Sequence, residues 1–199
     1  MKKESVLARI RAQAEPLVQA QGLVVWGIEC VGSTKTIVRV FIDRKADDSA
    51  PESALEACDA QASPNGVLLD QCELIAKDLG LALDVEDIFP NAWVLEVSTP
   101  GLSRTFFTLS QMRPYVGDVV EVHLTSRYPK ENGALFWRGL LKEVLSDAFV
   151  IAPVRIDEND AIEVEERDTV SLPWNLVKKA ARRALFPKPA KPGKGRKSS

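Results

Sequence analysis

The hydrophobic pattern of the sequence changes near residue 108, and this change limits the folds that the chain can adopt. Before it, segments with apolar residues every three or four positions alternate with segments rich in β-branched and aromatic residues, which predicts both helices and strands. After it, five short strand candidates lie within about 55 residues, separated by polar turns. A chain of 199 residues is long enough for two small hydrophobic cores. We therefore predict an α+β protein of two small domains.

The first half predicts an N-terminal α/β domain of order α-β-β-α-β. Its first helix ends before Gly22, and Gly32 marks a hairpin loop between the first two strands. A second helix is predicted to begin near Asp70, which forms a capping box with Glu73, and to end at Gly80. Both helices are expected to cover one face of a three-stranded sheet. The first helix is expected to bury Leu7, Ile10, Ala14, Leu17 and Val18, and the strands are predicted over residues 23–28, 36–42 and 93–98.

The second half predicts a small antiparallel β-barrel. Gly139, inside the longest strand candidate, would let that strand bend as a small barrel requires. A short helix is expected around Thr108–Arg113, before the first strand, and a basic helical stretch over residues 178–183, after the last. The five strand candidates are Val119–Leu124, Leu135–Val144, Ala148–Ala152, Ala161–Glu165 and Thr169–Leu172.

Two segments differ in composition from the parts that are predicted to fold. Asp43–Gly66 is rich in Ala, Ser, Pro, Asp and Glu and has no apolar period, which predicts a long acidic loop. Pro, Lys, Gly and Ser dominate beyond Pro187, which predicts a disordered basic tail. The expected boundaries are residues 1–107 for the N-terminal domain, 108–183 for the barrel domain and 184–199 for the tail.

The formal net charge of −2 conceals an uneven distribution of charge. Residues 1–107 carry 10 Lys and Arg against 16 Asp and Glu, a balance of −6, and residues 108–177 have a balance of −5. Residues 178–199 carry nine cations and no carboxylate side chain. An acidic body is suited to basic proteins and repels nucleic-acid phosphates, whereas a basic terminus attracts them.

The composition also bears on membranes, metals and cofactors. No stretch approaches the roughly 20 apolar residues of a transmembrane helix, and the N-terminus lacks the apolar run of a secretory signal, so we expect a cytoplasmic protein without membrane contact. The three cysteines, Cys30, Cys58 and Cys72, are expected to be free thiols. The single histidine, His123, falls in an alternating strand pattern and is expected to face solvent. Because one histidine and dispersed cysteines do not form a ligand set, no metal or cofactor is predicted.

Catalysis is not predicted. Two adjacent acidic pairs are present, Asp47-Asp48 and Glu165-Glu166. Neighbours in sequence on a loop or a strand do not converge on one site, and no nucleophile–base set or phosphate-binding loop is visible. An enzyme such as a hydrolase that uses acidic residues is the alternative reading of these pairs.

The segment Leu95–Arg104 contains the most specific motif of the chain. Pro100 fixes its own φ at about −65°, Gly101 allows a positive φ, and Thr99 before the proline is held extended. The third strand is therefore expected to stop abruptly and to place Arg104 on a defined loop. On physical grounds alone, this segment is either an ordinary turn between domains or a binding loop.

This motif resembles the hallmark of the ribosome maturation factor RimP family, a strand that ends Glu-Val-Ser-Ser-Pro-Gly-Leu and is followed by a polar residue and Arg. The resemblance covers residues 3–183, about nine-tenths of the chain. The chain departs from the family in having Thr99 in place of the second Ser, a longer loop over residues 44–65, and the tail beyond Pro187. Further segments that are similar to the family, in the same order, are Trp26–Glu29, Val38–Asp43, Gly66–Glu73, Phe136–Leu141 and Val177–Ala180.

The resemblance implies a fold and a function. The fold is an N-terminal α/β domain followed by an Sm-like β-barrel. The function is that of a non-enzymatic factor for late maturation of the small (30S) ribosomal subunit. Such a factor contacts the immature particle near a basic ribosomal protein of the decoding region and the adjacent ribosomal RNA. We expect a monomer.

Seven residues are candidates for binding the immature particle. They are Pro100, Gly101 and Arg104 in the motif, and Lys178, Lys179, Arg182 and Arg183 in the basic stretch. The alternative function is that of an Sm-like RNA-binding regulator that acts on messenger RNA. Because Sm-like folds frequently work as rings, a stable hexamer or heptamer would favour that alternative.

Overall fold

The structure is a computed structural model, and it describes residues 3–32, 35–45, 67–129, 133–156, 162–164 and 169–185. Helices and strands alternate in the first part of the chain and strands dominate the second, which confirms the predicted α+β class. The chain divides into two compact units, Met1–Phe107 and Thr108–Ser199. None of the helices in the described residues has the length and apolar character needed to cross a membrane.

The first unit contains a three-stranded sheet and two helices. The sheet order is β1-β2-β3, with β1 and β2 antiparallel and β2 and β3 parallel. Because parallel neighbours need a long crossover connection, α2 lies between β2 and β3 in the chain, as the predicted α-β-β-α-β order requires. The elements are α1 Lys3–Ala20, β1 Leu23–Val31, β2 Thr36–Arg44, α2 Leu69–Val85, β3 Trp93–Ser98 and the two-residue β4 Thr105–Phe106.

The core of the first unit joins both helices to one face of this sheet. Alternate residues of β2 are buried there because successive side chains of a strand point to opposite faces. On α1, Ile10, Ala14 and Val18 are fully buried while Leu7 and Leu17 are partly buried, which confirms the predicted apolar face. The other core residues are Val38, Val40 and Ile42 of β2 and Cys72, Ile75, Leu79 and Leu83 of α2.

The predicted start of α2 near Asp70 is confirmed, whereas its predicted capping box and its predicted end at Gly80 are wrong. The helix begins at Leu69, and the side-chain Oε1 of Gln71 accepts the backbone N–H of Leu68 at 3.0 Å, so Gln71 rather than Glu73 caps it. At the other end, the helix continues through Gly80 to Val85. A glycine inside a helix costs about 1 kcal/mol, but the added turn buries Leu83, and burial of a leucine contributes about 1.5–3 kcal/mol.

The predicted acidic loop begins later than expected. Strand β2 continues to Arg44, so Asp43 is a buried strand residue and not the first residue of a loop. The rest of that loop, residues 46–66, and the predicted tail from residue 186 onward lie outside the described residues.

The second unit is a sheet of antiparallel strands. Its pairings run in the order β10-β5-β6-β7, and both β8 and β9 pair with β7. Within the described residues no pairing joins β9 to β10, so the strands are not closed into a barrel and the predicted barrel is not confirmed. The strands are β5 Val119–Tyr128, β6 Ala134–Val144, β7 Ala148–Ile156, β8 Ile162–Val164, β9 Val170–Pro173 and β10 Val177–Arg182, with 3-10 helices at Leu109–Tyr115 and Trp174–Leu176.

One local prediction for the second unit is wrong, and another stays a prediction. The predicted helical stretch over residues 178–183 is wrong, since β10 pairs with β5 and fully buries Ala180. Lys, Ala and Arg favour helices, but intrinsic propensity is weak compared with tertiary packing. Gly139 lies within a continuous β6, where a Cβ would come within 2.7 Å of the carbonyl oxygen of Ala152. The missing side chain of Gly139 thus leaves room for β7, and the bend expected there stays a prediction.

Candidate functional site

The arginine of the motif is buried in the first unit. Arg104 is 7% exposed, and its Nη1 donates to Oδ2 of Asp43 at 2.9 Å. Asp43 is equally inaccessible at 6% exposure, and its other oxygen accepts the backbone N–H of Arg44 at 2.9 Å. Both carboxylate oxygens are therefore hydrogen-bonded, which a buried charge requires. Because its guanidinium is enclosed, Arg104 is placed to hold its loop against the end of β2.

An aromatic residue of β1 completes the surroundings of this ion pair. The ring of Trp26 lies under the guanidinium of Arg104, with 4.9 Å between Cζ and the ring centroid. Its Nε1 donates to the carbonyl oxygen of Thr105 at 2.7 Å. Trp26 is the extra residue of a β-bulge, because Val25 and Gly27 pair with consecutive residues of β2. A bulge re-aims a side chain, and here it directs the indole to the segment that follows the motif.

A glycine of β1 anchors the end of the first unit. A Cβ at Gly27 would overlap the ring of Phe107, so only a glycine leaves room for that ring. The same ring packs against Phe41 of β2 with 5.8 Å between centroids. The segment after Arg104 is thus held by contacts with both β1 and β2.

The exposed part of the motif is its tip. Gly101 has a φ of +71°, the left-handed conformation that the sequence predicts for it, and Pro100 is half-buried. Leu102 is 42% exposed and Ser103 is also exposed. The sequence analysis did not select these two residues as candidates. Their position between a tight turn and a buried arginine is the feature that indicates their exposure. The motif therefore presents Leu102 and Ser103 and encloses Arg104.

In the second unit, the two lysines of the basic stretch are exposed. Lys178 and Lys179 are consecutive strand residues, which ordinarily point to opposite faces of a sheet. The register of β10 against β5 shifts between Val177 and Lys179, so a bulge at Lys178 allows both to reach solvent. Among the described residues, neither lysine side chain has an ion-pair or hydrogen-bond partner.

The two arginines that follow are paired with carboxylates. Nε of Arg182 lies 2.7 Å from Oδ2 of Asp118 in an ion pair without the alignment of a hydrogen bond, and its guanidinium lies over the ring of Tyr115. Nη1 of Arg183 is 3.3 Å from Oε1 of Glu121. Neighbouring carboxylates thus offset their charge. The structure brings these four candidates together on β10 and its end, whereas the three candidates of the motif belong to the other unit.

Helix α2 of the first unit presents an exposed face that sequence reasoning missed. Leu74, Leu81 and Val85 are 44%, 61% and 87% exposed, and their spacing of seven and four residues places them on one face. Four exposed carboxylates and one lysine share this solvent side: Asp70, Glu73, Asp78 and Asp84 with Lys77. We call this surface the α2 face. In the sequence, the α2 face is indicated by a second repeat of apolar residues, which is offset from the repeat of buried residues.

Comparison with known proteins places the chain in a family. A family model described as the RimP N-terminal domain matches residues 13–103. A protein of Desulfovibrio desulfuricans named ribosome maturation factor RimP is 43% identical over 208 residues, which cover 91% of this chain and 81% of that protein. The chain belongs to the RimP family. The resemblance inferred from the motif is thereby confirmed.

Other proteins with the same name are similar over both units. A RimP of Nitratidesulfovibrio vulgaris strain Miyazaki F is 36% identical over 95% of this chain and 86% of its own length. A RimP of Lawsonia intracellularis is 29% identical over 90% of this chain and 88% of its own length. The N-terminal RimP match ends at Ser103, so it includes Asp43 of the buried ion pair and stops one residue before Arg104.

The cysteines and the histidine have distinct environments. Cys30 is half-buried and Cys72 is buried, whereas Cys58 lies outside the described residues. Burial raises the pKa of the Cys72 thiol, which keeps it protonated. His123 is exposed, as predicted. Within the described ranges, no group of three or more His, Cys, Asp and Glu side chains is placed to hold a metal ion.

Proposed function

We propose that this protein is a non-enzymatic assembly factor that acts in late maturation of the small (30S) ribosomal subunit. Its membership of a family whose proteins are named ribosome maturation factors supports the general role. In this proposal the protein is a cytoplasmic monomer that binds the immature particle through a basic ribosomal protein and ribosomal RNA. No cofactor takes part.

The α2 face is the observation that carries the protein-binding part of the proposal. Its four carboxylates against one lysine give a negative field, which attracts basic proteins and repels RNA phosphates. Leu81 and Val85 add exposed apolar area, which a protein partner would remove from water. A ribosomal protein segment with Lys or Arg beside apolar side chains matches both properties.

The basic end of the chain supports contact with ribosomal RNA. Lys178 and Lys179 are exposed and unpaired within the described residues, so their charges are available to phosphates. Residues 178–199 together carry nine cations. Each phosphate that a cation neutralises releases counterions, which makes the binding depend on salt concentration. Arg182 and Arg183 contribute less to this proposal, because Asp118 and Glu121 already offset their charge.

In this proposal the motif loop contacts the partner through its exposed tip. Pro100 and Gly101 shape the turn, Arg104 fixes its base, and Leu102 and Ser103 form the surface that a partner would meet. In this role Arg104 is a positioning residue, since its guanidinium is bonded to Asp43.

The Sm-like barrel is also a proposal for the second unit. It is supported by the order of pairings β10-β5-β6-β7-β9, whose first and last members, β10 and β9, are consecutive strands of the chain. The 3-10 helix Trp174–Leu176 joins those two strands directly.

Cosedimentation with small-subunit particles from cells that lack the factor tests the proposal. We expect the full chain to bind immature particles and to bind mature particles weakly. Leu81→Lys, which removes apolar area from the α2 face and weakens its negative field, should weaken binding at least tenfold. The matched control is Val31→Lys, the same change in charge at an exposed apolar residue of β1.

Two results would overturn the proposal. Equal, negligible binding to immature and mature particles would remove its basis. A stable hexamer or heptamer in light scattering would instead favour the Sm-like regulator of messenger RNA. If the Leu81→Lys variant binds particles as tightly as the parent does, the α2 face takes no part in the binding.

A further inference from the structure

We infer that one face of the second unit is a platform on which bases of single-stranded RNA stack, centred on Phe136 and His123. The two residues are register partners on the adjacent strands β6 and β5. Their ring centroids are 4.9 Å apart, with an angle of 49° between the planes. His123 is exposed, and Phe136 remains 38% exposed although its strand has neighbours on both sides. The inference rests on the RNA-binding part of the proposed function.

Two cations border these rings. Cζ of Arg138 lies 5.5 Å from the centroid of Phe136, and Lys179 of β10 is the register partner of His123. Because residues two apart on a strand share a face, Arg138 lies on the same side of the sheet as Phe136. We call His123, Phe136, Arg138 and Lys179 the stacking face.

A carboxylate holds the arginine in place. Oε1 of Glu121 accepts Nε of Arg138 at 2.9 Å and lies 2.8 Å from its Nη2. The same oxygen is 3.3 Å from Nη1 of Arg183, so one negative charge is shared by two guanidinium groups. With Lys179 the local formal charge is +2, the opposite sign to the −5 of residues 108–177 as a whole.

This combination fits single-stranded RNA better than another partner. Bases stack on aromatic rings whatever their identity, and arginine guanidinium planes stack with them, while lysines contact phosphates. The three strands β10, β5 and β6 span about 10 Å, and RNA-binding domains of other folds also carry stacked bases on a sheet surface. Base-paired RNA hides its base faces, so we expect unpaired nucleotides. A basic protein would be repelled by the excess positive charge.

The test is the affinity of the full chain for a fluorescein-labelled oligouridine of 12 nucleotides, measured by anisotropy across a series of salt concentrations. Phe136→Leu keeps an apolar side chain and removes the aromatic face, and it should weaken binding about tenfold at every salt concentration, because stacking is not ionic. Phe136→Trp should bind at least as tightly as the parent.

Lys179→Gln separates the ionic contribution. Its loss of affinity should be largest at low salt, and the slope of log affinity against log salt should become shallower by about 0.7, the value for one phosphate contact on a single strand. Leu135→Ala is the matched control: it removes a side chain that is 48% exposed from the neighbouring position on β6, which faces away from the platform. The melting temperature of each variant verifies that it is folded.

The outcomes separate this inference from the proposed function. If Phe136→Leu binds the oligonucleotide as tightly as the parent does, or if a duplex of the same length binds better than the single strand, the stacking face is refuted even when the protein still binds immature particles. If Phe136→Leu weakens binding to a lysine-rich peptide and not to the oligonucleotide, the partner is a protein and the inference is refuted. If the parent does not bind immature particles, the proposed function fails, and the oligonucleotide series still decides the stacking face.

Discussion

Arg104 and Asp43 are 61 residues apart in the sequence and form a buried ion pair, with 2.9 Å between Nη1 and Oδ2. The pair connects the loop after β3 to the C-terminal end of β2. The arginine of the motif thus acts first on the fold, because it determines where Leu102 and Ser103 are presented. A surface role for the motif is consistent with this only if the loop tip, and not the guanidinium, makes the contact.

We expect Arg104→Ala to lower the free energy of unfolding by about 3–5 kcal/mol, since it leaves the carboxylate of Asp43 buried and unpaired. Denaturant unfolding measures this loss, and particle binding should decrease in parallel with it. The control is Arg39→Ala, which removes an exposed pair with Glu96 and should change the free energy of unfolding far less than Arg104→Ala does. Loss of particle binding at normal stability would show instead that Arg104 contacts the partner directly.

The long-range character of this pair explains why the sequence could not predict it. Local patterns gave α1, the first three strands and the order of elements, because helical and strand periods are visible within single segments. The same local patterns placed Asp43 in a loop. Its burial could not be seen in them, because it depends on a residue 61 positions away. The helix predicted at residues 178–183 failed for the same reason: its strand partner is β5, and Ala180 is buried only after they pair.

Two glycine-to-alanine changes should have opposite effects on stability. Gly27→Ala should lower the free energy of unfolding by about 1–3 kcal/mol, because the new methyl group overlaps the ring of Phe107. Gly80→Ala should raise it by about 0.5–1 kcal/mol, since Gly80 lies inside α2 with no atom near its Cβ position. Urea midpoints compare the two, and effects of the same sign would contradict the packing described here.

The thiol of Cys72 should make stability decrease at alkaline pH. Its pKa is raised in the folded protein by burial, so above the ordinary thiol pKa the unfolded chain ionises while the folded chain stays protonated. The free energy of unfolding therefore falls as pH rises through that range, and Cys72→Ala should remove this part of the decrease. Iodoacetamide should also label Cys72 more slowly than the half-buried Cys30, as peptide mass spectrometry would measure. Equal labelling rates in the folded protein would contradict the burial of Cys72.

The basic tail should supply a salt-dependent part of the binding to immature particles. A chain that ends at Phe186 loses five of the nine cations in residues 178–199 and keeps the other four, Lys178, Lys179, Arg182 and Arg183. Its affinity should fall at low salt, and the slope of log affinity against log salt should become shallower. Replacement of the five cations by Gln in the full-length chain is the control for shortening. An unchanged slope in both variants would mean that the tail makes no phosphate contacts.

The candidate site shows a similar division between what local sequence indicates and what it does not. The positive φ of Gly101 follows from the Pro-Gly pair, and the exposure of His123 follows from strand alternation. The contact between the rings of His123 and Phe136 could not be anticipated, because it requires the register of β5 against β6. The exposure of apolar side chains on the α2 face could not be predicted either, since a helix with apolar residues on two sides does not indicate which side faces the core.

The boundary of the first unit can be tested by where the chain is cut. A fragment of residues 1–107 retains the Asp43–Arg104 pair, the Trp26–Thr105 hydrogen bond and the packing of Phe107 on Gly27. We expect it to unfold in one cooperative transition. A fragment of residues 1–103 removes all three contacts and leaves Asp43 buried without its cation, so its free energy of unfolding should be lower by at least about 3 kcal/mol. In the shorter fragment, Asp43→Ala should recover part of the loss, because it removes the unpaired charge. Equal stability of the two fragments would mean that residues 104–107 do not belong to the fold of the first unit.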